Sequence, residues 1–302
     1  MKPKIIAVIG TTASGKSSLG IEIARDFCGE IISADSRQVY KGLDLGTGKV
    51  TTEERLIVPH HLLDVVLPNQ PFSLYEFQRL AYAAIDDVLS RKKLPVLVGG
   101  TGLYSRAVTD GYNLSEGESP DQTLRDKLNA MPLDELWKML SELGEEEPAE
   151  RFNKRRVVRQ IEKLLAGDKE QSASVPRYDV LKLGIIYPRD VLRRRIGERL
   201  DIRIADGMIE EIKTLKENGA TDDFLEGLGL EYRYTNRYLN GQYSDFKTYR
   251  DELFTKICQF AKRQETWYKK EQNVIWLDTN GDMLAQAKNA ITAFLQKTVN
   301  LL

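Results

Sequence analysis

The residues from Gly10 to Ser17 read GTTASGKS, and their types and spacing are those of a loop that binds phosphate. In the pattern G-x-x-x-x-G-K-[ST], the glycines let the backbone curve so that successive N–H groups point at phosphate oxygens. Lys16 would reach the outer phosphate, and the Ser17 hydroxyl would be a ligand for Mg²⁺. We therefore predict a phosphate site, with Mg²⁺ as cofactor, formed by Gly10, Thr11, Thr12, Ala13, Ser14, Gly15, Lys16 and Ser17.

Two further polar residues follow apolar segments and are candidates for chemistry at the same place. Asp35 follows residues 30–34, and Thr101 follows residues 94–98 and two glycines. In an open parallel sheet the carboxyl ends of the strands form the ligand crevice, so both side chains should lie beside the phosphate loop. From its position alone, Asp35 could be a general base, a magnesium ligand or a turn-capping residue. Thr101 could donate a hydrogen bond to a phosphate or to a nucleobase.

The elements that must position these residues are short apolar strands that alternate with helices. Strand patterns occupy residues 4–9, 30–34, 94–98, 180–187 and 274–277. Helical patterns occupy residues 17–27, 72–89, 190–216 and 245–270, and Ser73 with Glu76 forms the pattern of a capping box. This alternation predicts an α/β fold, a P-loop NTPase-like parallel sheet flanked by helices.

A helical insertion interrupts the predicted sheet. Residues 121–165 have the pattern of several short helices without a strand signal, and the sheet pattern resumes at residue 180. We therefore predict a catalytic core formed by residues 1–111 and 178–302, with C-terminal helices, and a helical insertion domain at residues 112–177.

Composition argues against several classes of protein. There is no run of 18 apolar residues, so no transmembrane helix is expected. The two cysteines, Cys28 and Cys258, fit neither a disulfide framework nor a zinc pattern. The first ten residues lack the cleavage site of a signal peptide. We expect a cytoplasmic enzyme with two reduced thiols.

The charge of the chain is unevenly distributed. The net charge of −1 alone argues against binding to nucleic acid. Residues 116–150, however, carry a net charge of −8, residues 151–163 carry +5, and residues 247–270 carry +4. Local basic segments of this kind can bind an RNA backbone although the whole chain is nearly neutral.

Four further motifs carry a resemblance to a known family. They are DSRQVYKGLDLGT at residues 35–47, PHHLLD at 59–64, LVGGTGLY at 97–104, and AKRQ at 261–264 followed by Trp267. In this order and spacing they resemble the motifs of the tRNA dimethylallyltransferases, also called tRNA isopentenyltransferases. The resemblance extends from Gly10 to Trp267, and four ordered motifs are far more specific than the phosphate loop alone.

The resemblance implies a prenyl transfer to tRNA. In that family the phosphate loop holds dimethylallyl diphosphate, and the acceptor is the exocyclic amine of the adenosine 3′-adjacent to the anticodon. The catalytic residues would be Asp35, Lys16 and Thr101. Asp35 would accept the proton of the amine, while Lys16 and Mg²⁺ on Ser17 would stabilise the leaving diphosphate. The adenine must leave its stack, which a single-stranded loop allows at low cost.

The resemblance also implies which residues contact the tRNA, whose anticodon stem-loop the insertion domain is expected to grip. These residues are Asp35, Ser36, Arg37, Gln38, Thr101, Arg125, Arg155, Arg156, Val157, Val158, Arg159, Lys262 and Arg263. By composition alone, the basic helix could instead be a solvated face that balances the acidic residues before it. Trp267 could stack on a nucleobase or be buried in the core. No membrane and no obligate protein partner is expected.

The adjacent histidines His60 and His61 suggest a metal site at first sight. Adjacent side chains on a regular helix or strand cannot both point at one ion, and no second ligand cluster supports them. We therefore expect no metal at these histidines.

The chain departs from the family pattern in its C-terminal third. The family usually has Thr-Arg where this chain has Ile257-Cys258. The segment from Gly227 to Tyr232 also differs, since the family usually has a Gly-Tyr pair there. Because the missing arginine is expected near the diphosphate, we expect weaker donor binding unless another cation replaces it. Arg233 and Arg237 are the nearest candidates in sequence.

Two other functions are compatible with parts of the sequence. A small-molecule or nucleotide kinase would use the same phosphate loop with ATP, but it leaves the motifs at Asp35, Gly99 and Lys262 without a role. A non-catalytic RNA-binding protein would bind anticodon stem-loops and transfer nothing. Intact Lys16, Ser17 and Asp35 argue against it.

Overall fold

The structure is a computed structural model that describes residues 2–114, 122–145, 153–165 and 174–297. Part of the acidic segment 116–150 therefore lies outside the described residues. The chain forms two compact units, of which the first comprises Met1–Gly111 and Pro176–Leu302, and the second comprises Tyr112–Val175.

The first unit is built on a six-stranded sheet in which every neighbouring pair is parallel, with the order β3-β2-β4-β1-β5-β6. The strands are β1 (Lys4–Gly10), β2 (Gly29–Ser33), β3 (His60–His61), β4 (Leu94–Gly99), β5 (Asp179–Ile185) and β6 (Val274–Trp276). The central strand β1 pairs Ile6 with Val96 of β4 and with Leu181 of β5.

Helices connect the strands and continue beyond them. They are α1 (Lys16–Asp26), α2 (Thr52–Ile57), α3 (Leu74–Ser90), α4 (Gly102–Thr109), α5 (Gln122–Ala130), α6 (Leu133–Glu142), α7 (Lys154–Leu165), α8 (Arg189–Ala205), α9 (Met208–Glu217), α10 (Asp222–Leu228), α11 (Leu230–Leu239), α12 (Phe246–Tyr268) and α13 (Met283–Gln296). Among the described residues, no helix is long and apolar enough to cross a membrane.

The sheet is buried on both faces, as expected for a parallel sheet between helices. On β1, Ile6 and Val8 lie in one apolar cluster with residues of α1 and α13, whereas Ile5 and Ala7 lie in another with residues of α3 and α4. All four side chains are completely buried. The predicted α/β fold is confirmed.

Local sequence signals account for the ends of several elements. Ser73 caps α3: its hydroxyl accepts the N–H of Glu76, whose carboxylate accepts the N–H of Ser73 in return. The predicted capping box is confirmed. The prediction of one helix over residues 190–216 is wrong, because Gly207 adopts a φ of 102° and separates α8 from α9. Strand β3 is only two residues long and has no apolar pattern, so the sequence does not predict it.

The second unit has its own apolar core. Helices α5, α6 and α7 enclose a cluster of buried residues, Leu128, Leu136, Leu140, Val157, Val158 and Ile161. Val157 is fully buried and Val158 is 3% exposed. The spacing of residues 157, 158 and 161 places them on one face of α7, and this face turns inward.

Another apolar cluster joins the C-terminal helices to the segment after β2. Val39 and Leu43 are fully buried in it, together with residues of α8, α9, α11 and α12. A hydrogen bond of 2.6 Å joins the hydroxyls of Thr235 and Tyr249 within it. Through this cluster, α8 and α12 are fixed against the segment that begins at Asp35.

Two strands end in glycines because the backbone of a neighbouring strand lies too close for a side chain. A Cβ on Gly10 would lie 2.6 Å from the carbonyl oxygen of Ile185, and one on Gly99 would overlap the carbonyl oxygen of Ala34. Neither neighbour is a flexible side chain that could move aside.

We predict that Gly99→Ala lowers the free energy of unfolding by about 1–3 kcal/mol, because the added methyl group must displace backbone. Urea denaturation followed by circular dichroism measures it. Gly227→Ala in α10 is the matched control, since a Cβ there meets nothing within 4 Å. It should be neutral or stabilising by up to about 1 kcal/mol. Equal stability of the two variants would contradict the close approach at Gly99.

Candidate active site

The phosphate loop lies between β1 and α1. Ala13 and Gly15 have positive φ values of 57° and 83°, which turn the chain so that α1 begins at Lys16. No side chain caps this helix end, so its first N–H groups are available to an anion. Lys16 folds back over the loop, with its Nζ 3.2 Å from the carbonyl oxygen of Thr11. This geometry is that of a phosphate-binding loop.

The electrostatic surroundings of Lys16 are set by two other charged residues. Burial lowers the pKa of Lys16, the negative charge of Asp35 opposes this shift, and the positive charge of Arg203 adds to it. Contacts of the GGTG segment relate Asp35 to the loop: a Cβ on Gly100 would lie 3.2 Å from the Lys16 Nζ, and the next residue, Thr101, accepts the N–H of Ser36. The turn at Asp35 and the lysine of the phosphate loop therefore both lie at this segment.

Asp35 and Thr101 stand at the ends of adjacent strands. The backbone N–H of Ala34 donates to Val98, and the N–H of Ser36 donates to the hydroxyl of Thr101, at 2.8 and 3.2 Å. The carboxylate of Asp35 accepts the N–H of Arg37 at 2.9 Å through Oδ1, which fixes its orientation. Asp35 is thus held by a local turn at the edge of the site.

The side-chain amide of Gln264 on helix α12 binds the phosphate loop. The Gln264 Oε1 accepts the N–H of Thr12 at 2.8 Å, and its Nε2 donates to the carbonyl of Gly100 at 2.9 Å. The AKRQ motif therefore joins the phosphate loop to the GGTG segment. Its neighbours Lys262 and Arg263 lie on the exposed face of the helix, where they are accessible to a large ligand.

The indole ring of Trp267 packs against other residues of the chain. Its indole lies against Gly102, where a Cβ would overlap the ring. The guanidinium of Arg106 lies over the ring at 5.0 Å. These contacts favour the packing interpretation of Trp267.

Gln38 and Lys49, which follow Asp35 in the chain, stabilise the loop around Gly48. Gln38 accepts the Ser33 hydroxyl and donates to the carbonyl of Gly48, at 3.2 Å in both cases. The ammonium group of Lys49 is buried between the carboxylates of Asp44 and Asp64, at 2.5 and 2.6 Å. Lys49 and its two partners therefore stabilise this loop.

Arginines of α8 contact the site, although no sequence motif pointed to them. Arg195 donates from Nε to the carbonyl of Ala13 at 2.8 Å. Arg199 and Arg203 both lie against Gly48, where a Cβ would overlap their guanidinium groups. The spacing of four residues, which places all three along one side of a helix, is the signal that could have found them.

The basic helix α7 contains residues of two kinds. Val157 and Val158 are buried in the core of the second unit, so their side chains face inward, and the contact of these positions with tRNA stays a prediction. Arg155 and Arg156 lie on the exposed face. Arg159 donates to Glu162 at 3.1 Å.

Arg125, the other arginine predicted to contact tRNA in this unit, forms two hydrogen bonds with the same glutamate, at 2.7 and 2.8 Å. The hydrogen bond from Arg125 is the largest influence on the pKa of Glu162 and lowers it, although burial opposes the shift. Arg125 is therefore neutralised by an internal ion pair. Arg155 and Arg156 are more exposed to solvent than Arg125.

Arg233 and Arg237 are not isolated cations, because both bind Glu226. Arg237 forms a bidentate pair with Glu226 at 2.9 and 2.8 Å, and Arg233 donates to the carbonyl of Glu226 at 2.6 Å. Both arginines therefore serve to join α11 to α10. Nothing in their contacts supports a role in replacing the arginine that is missing at Cys258.

His60 and His61 both form hydrogen bonds with other groups of the chain. His60 Nδ1 lies 2.8 Å from the carbonyl oxygen of Val58, and His61 Nε2 lies 2.7 Å from Glu30. Burial lowers the pKa of His60. In the part of the chain that the structure describes, no group of three or more His, Cys, Asp or Glu side chains is placed to hold a metal ion. A magnesium ion would therefore depend on the Ser17 hydroxyl together with oxygens of a phosphate ligand.

Comparisons with known proteins agree with these features. The chain matches the family model of the IPP transferases over residues 38–271, and that of an isopentenyl transferase family over residues 3–62. It is 43% identical over 291 residues to tRNA dimethylallyltransferase 2 of Shewanella sediminis, covering 94% of this chain and 96% of that protein. It is also 43% identical to tRNA dimethylallyltransferase 2 of Treponema denticola, covering 89% and 92%.

Solved structures show the same likeness. The tRNA isopentenylpyrophosphate transferase of Bacillus halodurans is 34% identical, with a TM-score of 0.75 and 99% of both chains covered. A eukaryotic dimethylallyltransferase acting on tRNA is 26% identical, with a TM-score of 0.79, and 99% of this chain and 80% of that chain are covered. Sequence, fold and site geometry together show that this chain belongs to the IPP transferase family, the tRNA dimethylallyltransferases.

Proposed function

We propose that this chain transfers the dimethylallyl group of dimethylallyl diphosphate to the exocyclic amine of the adenosine 3′-adjacent to the anticodon of tRNA, and releases diphosphate. The observation that carries this proposal is that the GGTG segment contacts both the turn at the Asp35 carboxylate, through Thr101 and Ser36, and Lys16 of the phosphate loop, at Gly100. A kinase needs the loop, but it gives no role to the Gln264 bridge between the loop and Gly100. The family membership supports the same reaction. A cytoplasmic location is part of the proposal.

The phosphate loop would bind and stabilise the diphosphate of the donor. The N–H groups at the start of α1 and the ammonium group of Lys16 would donate to its oxygens. The Ser14 hydroxyl is buried and has no hydrogen-bond partner among the described residues, so it fits an oxygen-rich ligand that the loop surrounds. Mg²⁺, held by Ser17 and the diphosphate, would neutralise negative charge as the leaving group departs.

Asp35 would act as the general base. The lone pair of the adenine amine is delocalised into the ring, so the amine becomes a better nucleophile as its proton is removed. As the nitrogen forms a bond to the allylic carbon, the carbon–oxygen bond breaks and diphosphate leaves with the electron pair. The proton passes to Asp35, whose orientation the N–H of Arg37 fixes. Thr101, bonded to the N–H of Ser36, would position the groups that react.

The tRNA would contact two sets of side chains. In the first unit these are Ser36, Arg37, Gln38 and Thr101 near Asp35, with Lys262 and Arg263 on the exposed face of α12. In the second unit they are Arg155, Arg156 and Arg159 on α7, which would bind backbone phosphates of the anticodon arm. Such contacts give affinity and register, while the flipped adenine gives specificity.

The decisive experiment incubates the protein with radiolabelled dimethylallyl diphosphate and unmodified tRNA, and measures label in the RNA. Label should appear only when both substrates and Mg²⁺ are present. A preparation that hydrolyses ATP without tRNA, and leaves the RNA unlabelled, would establish a kinase-like function instead. RNA binding without transfer of label would establish a non-catalytic protein.

We predict that Lys16→Ala weakens binding of dimethylallyl diphosphate and slows transfer, since the ammonium group is the cation of the loop. Its affinity for tRNA should stay nearly unchanged. Single-turnover kinetics and filter binding measure the two quantities. Lys213→Ala removes the same charge from an exposed position of α9 and is the control. Normal turnover by Lys16→Ala would exclude the loop from the reaction.

We predict that Asp35→Asn lowers the single-turnover rate by about a hundred- to ten-thousand-fold, the usual cost of losing a general base. The amide keeps the size of the side chain and an acceptor for the N–H of Arg37. The affinities for donor and tRNA should therefore change far less than the rate. If a high Mg²⁺ concentration restored the rate, Asp35 would be a metal ligand and not the base.

We predict that Arg155→Ala and Arg156→Ala each reduce the slope of log tRNA affinity against log salt concentration, by somewhat under about one unit for each phosphate that is no longer neutralised. Arg159→Ala should reduce it less than Arg155→Ala does, because Arg159 donates to Glu162. Lys138→Ala, on the exposed face of α6 in the same unit, is the control. An unchanged slope in the triple variant would identify α7 as a solvated face.

A further inference from the structure

Gln264 lies on the buried face of α12, and the proposed mechanism assigns it no task. Ile257, Ala261, Gln264 and Tyr268 have the spacing that places them on one face of a helix, and all four are buried. An amide both donates and accepts hydrogen bonds and carries no charge. A buried amide is unfavourable unless it finds partners for its hydrogen bonds, so the partners of Gln264 indicate what it is for.

Both ends of the Gln264 amide are bonded to the backbone of the site. Its Oε1 accepts the N–H of Thr12 at 2.8 Å, and its Nε2 donates to the carbonyl oxygen of Gly100 at 2.9 Å. The ladder between β1 and β4 ends at the pair Ile9 and Gly99, so these bonds join the two segments beyond the last paired residues of their strands. The amide therefore fixes the distance between the phosphate loop and the GGTG segment.

The GGTG segment continues this connection to the turn that carries the proposed general base. Gly100 is followed by Thr101, whose hydroxyl accepts the N–H of Ser36 at 3.2 Å. A Cβ on Gly100 would lie 3.2 Å from the Lys16 Nζ and 3.5 Å from the Gln264 Nε2, so both side chains lie against this residue. Direct contacts thus lead from the phosphate loop through Gln264 and the GGTG segment to the acceptor side of the site.

Contacts at the C-terminal end of α12 hold Gln264 in place. One turn after it, the hydroxyl of Tyr268 donates to the carbonyl oxygen of Gly99 at 3.5 Å. Just beyond the helix, the carboxylate of Glu271 binds Arg106 of α4 and Lys182 of β5. The amide is therefore presented by a helix that is fixed to the sheet and to α4, as a group that positions others must be.

The contacts of Gln264 indicate alignment and not the binding of a substrate. The N–H of Thr12 that its Oε1 occupies is withdrawn from the diphosphate, for which Lys16 and the first N–H groups of α1 remain. Transfer requires the amine, the allylic carbon and the leaving oxygen to be aligned. A displacement of about 1 Å at this stage can slow such a step by about 100-fold.

We propose that Gln264 is a positioning residue for the transfer. By holding the phosphate loop at a fixed distance from the GGTG segment, it aligns the donor on the loop with the amine whose proton Asp35 accepts. This inference rests on the proposed function, because it assigns a further residue to the same reaction.

The test compares Gln264→Met with the native protein in the transfer of label from dimethylallyl diphosphate to tRNA. Methionine has a similar length but does not replace the two hydrogen bonds. The single-turnover rate at saturating concentrations of both substrates should fall by about 10- to 100-fold. The affinity for each substrate, measured separately, should change little. Gln259→Met makes the same substitution at an exposed position of the same helix, and this matched control should transfer normally.

Gln264→Asn is a second variant that keeps the amide. Its side chain is one methylene group shorter, so it cannot reach both Thr12 and Gly100. It should lower the rate with little change in either affinity, as Gln264→Met does. Thermal unfolding of each variant establishes that it is folded, and Gln264→Asn decides the matter if Gln264→Met is not.

A normal transfer rate in a folded variant overturns the proposal, because the two hydrogen bonds would then serve folding alone. A rate that more donor or more tRNA restores also overturns it, since Gln264 would then contribute to binding that substrate. Failure of the proposed function is a separate result, in which the native protein itself leaves the RNA unlabelled.

Discussion

The site depends on one constraint, which is that β1, β4 and β2 are parallel neighbours and therefore end at the same edge of the sheet. The phosphate loop, the GGTG segment and the turn at Asp35 each follow one of these strands. The end of β4 lies so close to the backbone of Ala34, just after β2, that glycine is required at Gly99, and β5 on the other side of β1 requires it at Gly10. A change of register by one residue would move the side chains of β1 from one apolar cluster into the other, so the packing on both faces fixes the position of the site.

Charge is distributed in two ways around this edge. Burial is what most lowers the pKa of Lys16; the attraction of Asp35 raises it, and the smaller repulsion from Arg203 lowers it. Farther away, charges are compensated pairwise: Glu30 is held by Arg91, Lys93 and His61, and the Arg91 hydrogen bond keeps its pKa well below the usual value. The protein therefore uses complete ion pairs where it needs stability, and leaves charge incompletely paired where an anion would bind.

Prediction from sequence succeeded where one physical signal dominated. The central strands are continuous apolar runs, Ser73 has a capping partner at the right distance, and the phosphate loop lies between a strand and a helix. It failed where a competing signal was overlooked. The inward face of α7 was not predicted, although the spacing of Val157, Val158 and Ile161 marks a buried face. Arg203 was missed because arginines on a basic helix usually face solvent, although its spacing from Leu192, Ile196 and Leu200 continues an apolar stripe.

The bridge made by Gln264 has a consequence for biosynthesis. The ribosome synthesises the phosphate loop well before Gln264, because the side-chain amide that accepts the N–H of Thr12 lies 252 positions later. Strand β1 likewise waits for β5, which follows the whole second unit. Vectorial folding from the N-terminus therefore cannot finish the site early. A nascent chain that terminates before α12 lacks this bridge, so premature termination yields an incomplete donor site and not a smaller working enzyme.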